Sequence, residues 1–95
     1  VLMNDPELTA ASVETLRSTL GADAVIEAEP IMAAEDFAEY AEVVPGFFFM
    51  LGVGNTEKGW TSYVHTPTFQ PDEEALRVGV RAASALLLGR LAARE

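Results

Sequence analysis

His65 is the only histidine of the chain, and no cysteine is present to share a metal with it. It stands in "YVHTPTFQPDEEAL", residues 63–76, between a tyrosine–valine pair and a Thr-Pro turn, just ahead of an acidic helix start. Imidazole is a common metal ligand, but one donor alone holds no metal. Taken by itself, an ordinary loop histidine is the favoured reading, because loops only enrich for function. Asp72, Glu73 and Glu74 look like a carboxylate ligand set. Their place before an apolar-periodic stretch makes them more simply a helix cap and dipole cluster. Glu35 and Asp36 lead another short helix, where Asp36 has mainly the structural role of an acid at a helix N-terminus. Gly52, Gly54 and Glu57 lack the third glycine of a dinucleotide fingerprint. Trp60 and Tyr63 serve equally well as a substrate wall or as loop packing.

Composition narrows the classes. The 95 residues make one domain at most, and 49% apolar content is that of a folded chain. Fifteen carboxylates against six basic residues give a net charge of −9, which repels phosphate backbones and excludes nucleic acid as the expected partner. The absence of cysteine excludes a disulfide scaffold and thiolate metal sites, and is compatible with a reducing compartment. A cytoplasmic location is the expectation. No apolar run approaches the roughly eighteen residues of a membrane span, and no signal-peptide pattern is present, so no membrane partner is expected. The opening "VLMNDPEL" has no initiator methionine, which reads as a piece of a longer protein.

The elements that must position these residues alternate. Asp5 as N-cap, Pro6 at the first helical position and Gly21 as C′ residue delimit a first helix, with Val13, Leu16 and Leu20 on one face. "AVIEAEP", residues 24–30, reads as a short strand. Residues 35–44 read as a short helix with Phe37, Tyr40 and Ala41 facing one way, followed by a Pro45-Gly46 turn. "FFFMLGVG" has the pattern of a strand buried on both faces, its three phenylalanines in the core. Residues 55–70 have no helical period and form a long polar-aromatic loop. The last helix carries a predicted core stripe of Leu76, Val80, Ala83, Leu87 and Leu91, and Gly79 and Gly89 imply close packing against a neighbour.

The order helix–strand–helix–strand–loop–helix implies an α/β layer with parallel pairing. Two strands are too few, so the flanking ones are expected outside these 95 residues. Left uncovered, the "FFFMLGVG" edge would pair with itself or aggregate. Ligands sit outside the carboxyl ends of strands in open α/β sheets. The loop bearing His65 and the loop bearing Glu35-Asp36 both leave such ends, so they are expected to converge.

The combination of "IMAAEDFAEYAEVVPGFFFMLGVGN", "HTPTFQPDEEAL" and a long terminal helix resembles the C-terminal end of the metal-dependent amidohydrolases. That group includes hippurate hydrolase, bacterial N-acyl-amino-acid amidohydrolases and plant auxin-conjugate hydrolases, and belongs to the aminoacylase-type metallopeptidases. The resemblance runs from Asn4 onward. Ala33 departs from it, standing where the family pattern usually has glycine.

What the resemblance implies is an α/β fold, specifically the C-terminal fragment of a three-layer zinc-peptidase-like catalytic domain. Residues 1–4 would end the return from a lid domain and residues 5–95 would belong to the catalytic domain. His65 would be a ligand of a binuclear zinc, manganese or cobalt centre whose other ligands and general base lie elsewhere in a longer parent. Glu35 and Ala34 would line the substrate end of the site. The parent would hydrolyse N-acyl amino acids or similar small amides with a metal-activated water, and the 95-residue chain alone would be inactive. Its partners would be the rest of the parent chain and that small-molecule substrate, with a homo-oligomer left open. The alternative from a different class is a stand-alone α/β interaction module that pairs its strand edges with a partner.

Overall fold

A computed structural model describes residues 2–29, 35–62 and 65–93. Helix α1 spans Pro6–Leu20, α2 Phe37–Ala41 and α3 Glu74–Ala93, with a 3-10 turn at Ala22–Ala24. Local chemistry sets the helix ends as the sequence predicts. The Asp5 carboxylate accepts the Leu8 N–H at 2.9 Å, and Pro6 occupies the first turn, where no N–H is needed. Gly21, at φ 99°, ends α1 and donates its N–H to the Arg17 carbonyl. Before α3, Asp72 accepts the Glu74 N–H on its carboxylate at 3.0 Å and the Ala75 N–H on its carbonyl at 3.0 Å. Glu74 in the first turn and Arg90 in the last complement the helix dipole.

The core lies where α1 packs on α3. Its buried residues are Leu16, Ser12, Ala75 and Ala82, the last only 2% exposed. The seam is made of short side chains. A Cβ placed on Gly89 would lie 3.5 Å from Thr15 Oγ1, and one on Gly79 would lie 3.1 Å from a methyl of Leu51, so both glycines do meet a neighbour. The Arg81 guanidinium donates to the Thr19 carbonyl at 2.7 Å and ties α3 to the last turn of α1. This corrects the predicted core stripe of α3. Leu76 (73%), Val80, Leu87 (62%) and Leu91 are exposed, as is Ala83. The least exposed row runs through the buried Ala75 and Ala82 and the half-buried Gly79 and Leu86, one residue earlier and therefore about 100° around the helix. Close approach of Gly89 to Thr15 favours small residues at that seam, and Leu76, Leu87 and Leu91 are turned away from it.

Both predicted strands are also corrected. The only β pairing among the described residues is an isolated antiparallel bridge, Asn55–Trp60. Val25 is extended, at φ −113° and ψ 114°, but no described segment pairs with it, and Ile26 is 81% exposed. The run from Phe47 likewise forms no ladder with a described segment. A strand is completed by its neighbour's N–H and C=O groups, and neither run has such a neighbour here. The helix–strand–helix–strand–loop–helix order is thus observed only in its helices and loop.

A side chain takes the neighbour's place for the second run. The Asn4 amide donates to the Phe48 carbonyl at 2.8 Å and accepts the Phe48 N–H at 2.8 Å. One residue on, the Asp5 N–H donates to the Gly46 carbonyl at 2.9 Å. Helix α2 is shorter than the predicted 35–44 and sits over Gly46, where an added Cβ would meet the Phe37 ring at 3.1 Å. Phe37 contacts Phe48 and Tyr40 at ring-centroid distances of 5.6 and 6.2 Å. Phe47 stacks on Phe49 at 5.4 Å. The three phenylalanines are therefore not a closed core: Phe47 and Phe48 are half-buried and Phe49 is exposed.

The placement of the seam makes a measurable contrast. Leu16→Ala should destabilise the chain by about 2–3 kcal/mol, whereas Leu87→Ala should change stability by less than about 0.5 kcal/mol. Urea unfolding of both variants checks this, and an equal loss at Leu87 would put the core on the leucine stripe.

Candidate functional site

The loop between Val53 and Asp72 is tied at its base by Asp72. The Asp72 N–H donates to the Val53 carbonyl at 2.7 Å, and the Asn55 amide donates to the Asp72 carboxylate at 2.8 Å. Asn55 in turn accepts the Lys58 N–H on its side-chain oxygen at 3.1 Å, an Asx-type turn. It also exchanges two backbone hydrogen bonds of 2.9 Å with Trp60. Gly59 at φ 74° completes that turn, and the Lys58 ammonium lies 4.8 Å from the Trp60 ring centroid. Trp60 thus has a packing role in the loop. Gly54 passes close to the Trp60 carbonyl, 3.2 Å from where a Cβ would stand.

Beyond this base the chain is crossed a second time. The Ser62 and Thr68 hydroxyls are hydrogen-bonded at 2.7 Å, and the Phe69 N–H closes a turn on the Thr66 carbonyl at 3.2 Å. His65 lies between Ser62 and Thr68 in sequence. It is exposed and is the one non-glycine residue with a positive φ, 65°, among the described residues. Left-handed backbone costs an L-residue roughly 1–2 kcal/mol, and such outliers concentrate at functional positions.

The acids divide by role. Asp72, Glu73 and Glu74 behave as the predicted cap and dipole cluster, with Asp72 its working member. The Glu74 N–H holds the Asp72 carboxyl below its ordinary pKa, helped by the Asn55 amide and the Lys58 charge, against a smaller opposing effect of burial. At α2 the capping differs from expectation. Asp36 makes no side-chain cap, and it is the exposed Glu35 carboxylate that accepts the Phe37 N–H, at 3.4 Å. Ala34, Ala33 and Tyr63 lie outside the described residues. Among the described residues no hydrogen bond or ion pair joins Glu35 to His65.

The metal test is one of donor chemistry. No group of three or more His, Cys, Asp or Glu among the described residues could hold an ion. No described hydrogen bond or ion pair occupies the His65 imidazole, so this exposed ring fits one place in a ligand set completed by other donors. Sequence reasoning missed Asn55, although an Asn opening "NTEKG" is a turn signal. It also missed Ser62, Thr68 and Asn4, whose partners are distant in sequence or carry no local mark. No helix among the described residues is long and apolar enough to cross a membrane.

Known proteins align with this chain. The family model described as Peptidase family M20/M25/M40 matches residues 1–89. Thermostable carboxypeptidase 2 of Saccharolobus solfataricus is 34% identical over 88 residues, covering 93% of this chain and 22% of the relative. IAA-amino acid hydrolase ILR1-like 2 of Arabidopsis thaliana is 35% identical over 81% of this chain and 17% of its own length. N-acetyldiaminopimelate deacetylase of Lactobacillus acidophilus is 33% identical over 93% of this chain and 22% of its own length. The chain therefore spans about a fifth of the curated relatives it matches. No solved structure matches it.

The Asp72 hydrogen bonds set a pH dependence. A carboxyl whose folded pKa is lowered contributes stability above its unfolded pKa of about 3.9, and that contribution is lost as pH falls through the folded value. Carbon-13 NMR should show the Asp72 carboxylate titrating below the ordinary aspartate range, and Asp72→Asn should flatten the acid limb of the stability curve. Titration at or above the ordinary value would contradict the hydrogen-bonded geometry.

Proposed function

This chain belongs to peptidase family M20/M25/M40, and from that membership we propose that it is a segment of a metal-dependent amidohydrolase acting on the amide bond of N-acyl amino acids or related small amides. The observation that carries the reading is His65, an exposed imidazole without a described partner, held at a left-handed backbone position within the matched residues. The relatives named as hydrolase of an IAA-amino acid, deacetylase of N-acetyldiaminopimelate and carboxypeptidase support the bond class. The match over residues 1–89 favours this reading over the stand-alone interaction module.

In this proposal His65 presents its neutral imidazole to a divalent centre, a binuclear zinc, manganese or cobalt site completed by donors outside these residues. When bound, such a centre supplies Lewis acidity, polarising an amide carbonyl and lowering the pKa of water toward about 7. The second ring nitrogen of His65 requires a hydrogen-bond acceptor that fixes the tautomer. Glu35 and Ala34 are proposed to line the substrate side. The Glu35 carboxylate is exposed at the start of α2, and it accepts a backbone N–H from Phe37 over 3.4 Å, leaving it acceptor capacity for a substrate donor.

The test uses the full-length enzyme that contains this sequence. His65→Ala should lower divalent-metal occupancy and reduce hydrolysis of a hippurate-type substrate by about 100-fold or more. The 95-residue chain alone, supplied with zinc, manganese or cobalt, should release no product. A His65→Ala enzyme with full activity and full metal content would overturn the assignment.

A further inference from the structure

We propose that the backbone edge formed by Phe47 and Phe49 takes up a β-strand of the longer protein that contains this chain, while Asn4 and Asp5 cap the opposite edge. The inference rests on family membership and is independent of the metal assignment of His65. Its basis is the geometry at residues 46–49. One amide, that of Asn4, both donates to the Phe48 carbonyl and accepts the Phe48 N–H, each at 2.8 Å. Only an extended residue turns its N–H and C=O to the same side; in a helix they point opposite ways along the axis. The rings agree. Phe47 stacks on Phe49 at 5.4 Å, the i, i+2 relation of one strand face, while Phe48 meets the Phe37 ring at 5.6 Å.

An extended chain presents successive residues to opposite edges. Gly46 and Phe48 share one edge, and it is filled. The Asp5 N–H takes the Gly46 carbonyl at 2.9 Å, beside the Asn4 pair on Phe48. Phe47 and Phe49 share the other edge, where neither residue's N–H or C=O makes a hydrogen bond. Proteins blunt a free edge with charge or proline. Phe47–Leu51 is an unbroken apolar run with neither, and Met50 within it is 67% exposed. The occupant is a strand of the same polypeptide, because the chain spans only about a fifth of the curated relatives it matches. A second copy is disfavoured, since it would bring another net charge of −9 to the contact. The sequence pattern implies strands on either side of "FFFMLGVG"; the two caps leave room for one at residues 46–49.

Hydrogen exchange of the full-length enzyme, read residue by residue, tests both edges. The Phe47 and Phe49 amides should exchange at least about a thousandfold more slowly than unprotected amides, equally at every protein concentration. Asn4→Ala should speed exchange of the Phe48 amide about tenfold, the loss of one hydrogen bond, and leave Phe47 and Phe49 unchanged. Asn4→Asp, which keeps the acceptor, should retain the Phe48 protection. The wild-type measurement tests the open edge without any substitution. Phe47 and Phe49 amides exchanging near the unprotected rate would overturn the proposal. Protection that disappears on dilution would make a second copy the occupant, and would overturn it too. If Asn4→Ala leaves Phe48 unaffected, or releases all three amides together, the division into a capped and an open edge fails.

Discussion

The close approach of α1 and α3 is the constraint on which the remaining structure depends. Only a few of the described residues are buried, and those from α3 are Ala75 and Ala82. Short side chains allow the two helices to meet with Ser12, Thr15 and Leu16 between them, and the Arg81–Thr19 hydrogen bond ties the seam near the end of α1. A larger side chain on the seam would separate the helices. This selects the alanine–glycine row of α3 over its leucine row, although the leucines carry more apolar surface. The cost is an exposed aliphatic face at Leu76, Val80, Leu87 and Leu91.

From this seam the order passes outward through polar side chains. Asn4 and Asp5, at the head of α1, hold residues 46–48 in place by three hydrogen bonds. Those residues carry the phenylalanines against which α2 rests. At the head of α3, Asp72 does the corresponding work for the long loop, with its backbone on Val53 and its carboxylate shared between Asn55 and the Glu74 N–H. Each helix start is therefore both a cap and an anchor. A residue that caps its own helix has its backbone fixed, so a second bond from it transfers that rigidity to a segment that is neither helix nor strand.

Family membership gives this arrangement its chemical meaning. The loop anchored by Asp72 carries the only histidine, and the same loop holds that histidine in a backbone conformation an L-residue avoids. The chain's strong negative charge does not count against a cation site. It lies on dispersed surface carboxylates, and a bound dication dominates its own surroundings.

Sequence alone determined whatever depends on near neighbours or on a whole motif. Asp5, Pro6 and Gly21 fixed the ends of α1, and Asp72 the start of α3, because a cap involves residues within one turn of each other. The combined pattern around Glu35–Phe37, Gly52–Asn55 and His65–Pro67 identified the family, because its members are specific only together. Tertiary structure decided the rest. Hydrophobic periodicity marks an apolar stripe but not what faces it, so the buried face of α3 turned out to be the small-residue row one position away. Residues 24–30 and the run 47–54 read as strands from composition, yet a ladder needs a partner's backbone, and no described segment supplies one. The ties Asn4–Phe48, Asn55–Asp72 and Ser62–Thr68, and the positive φ of His65, leave little or no trace in local sequence, because each exists only once the folded chain brings its partners together.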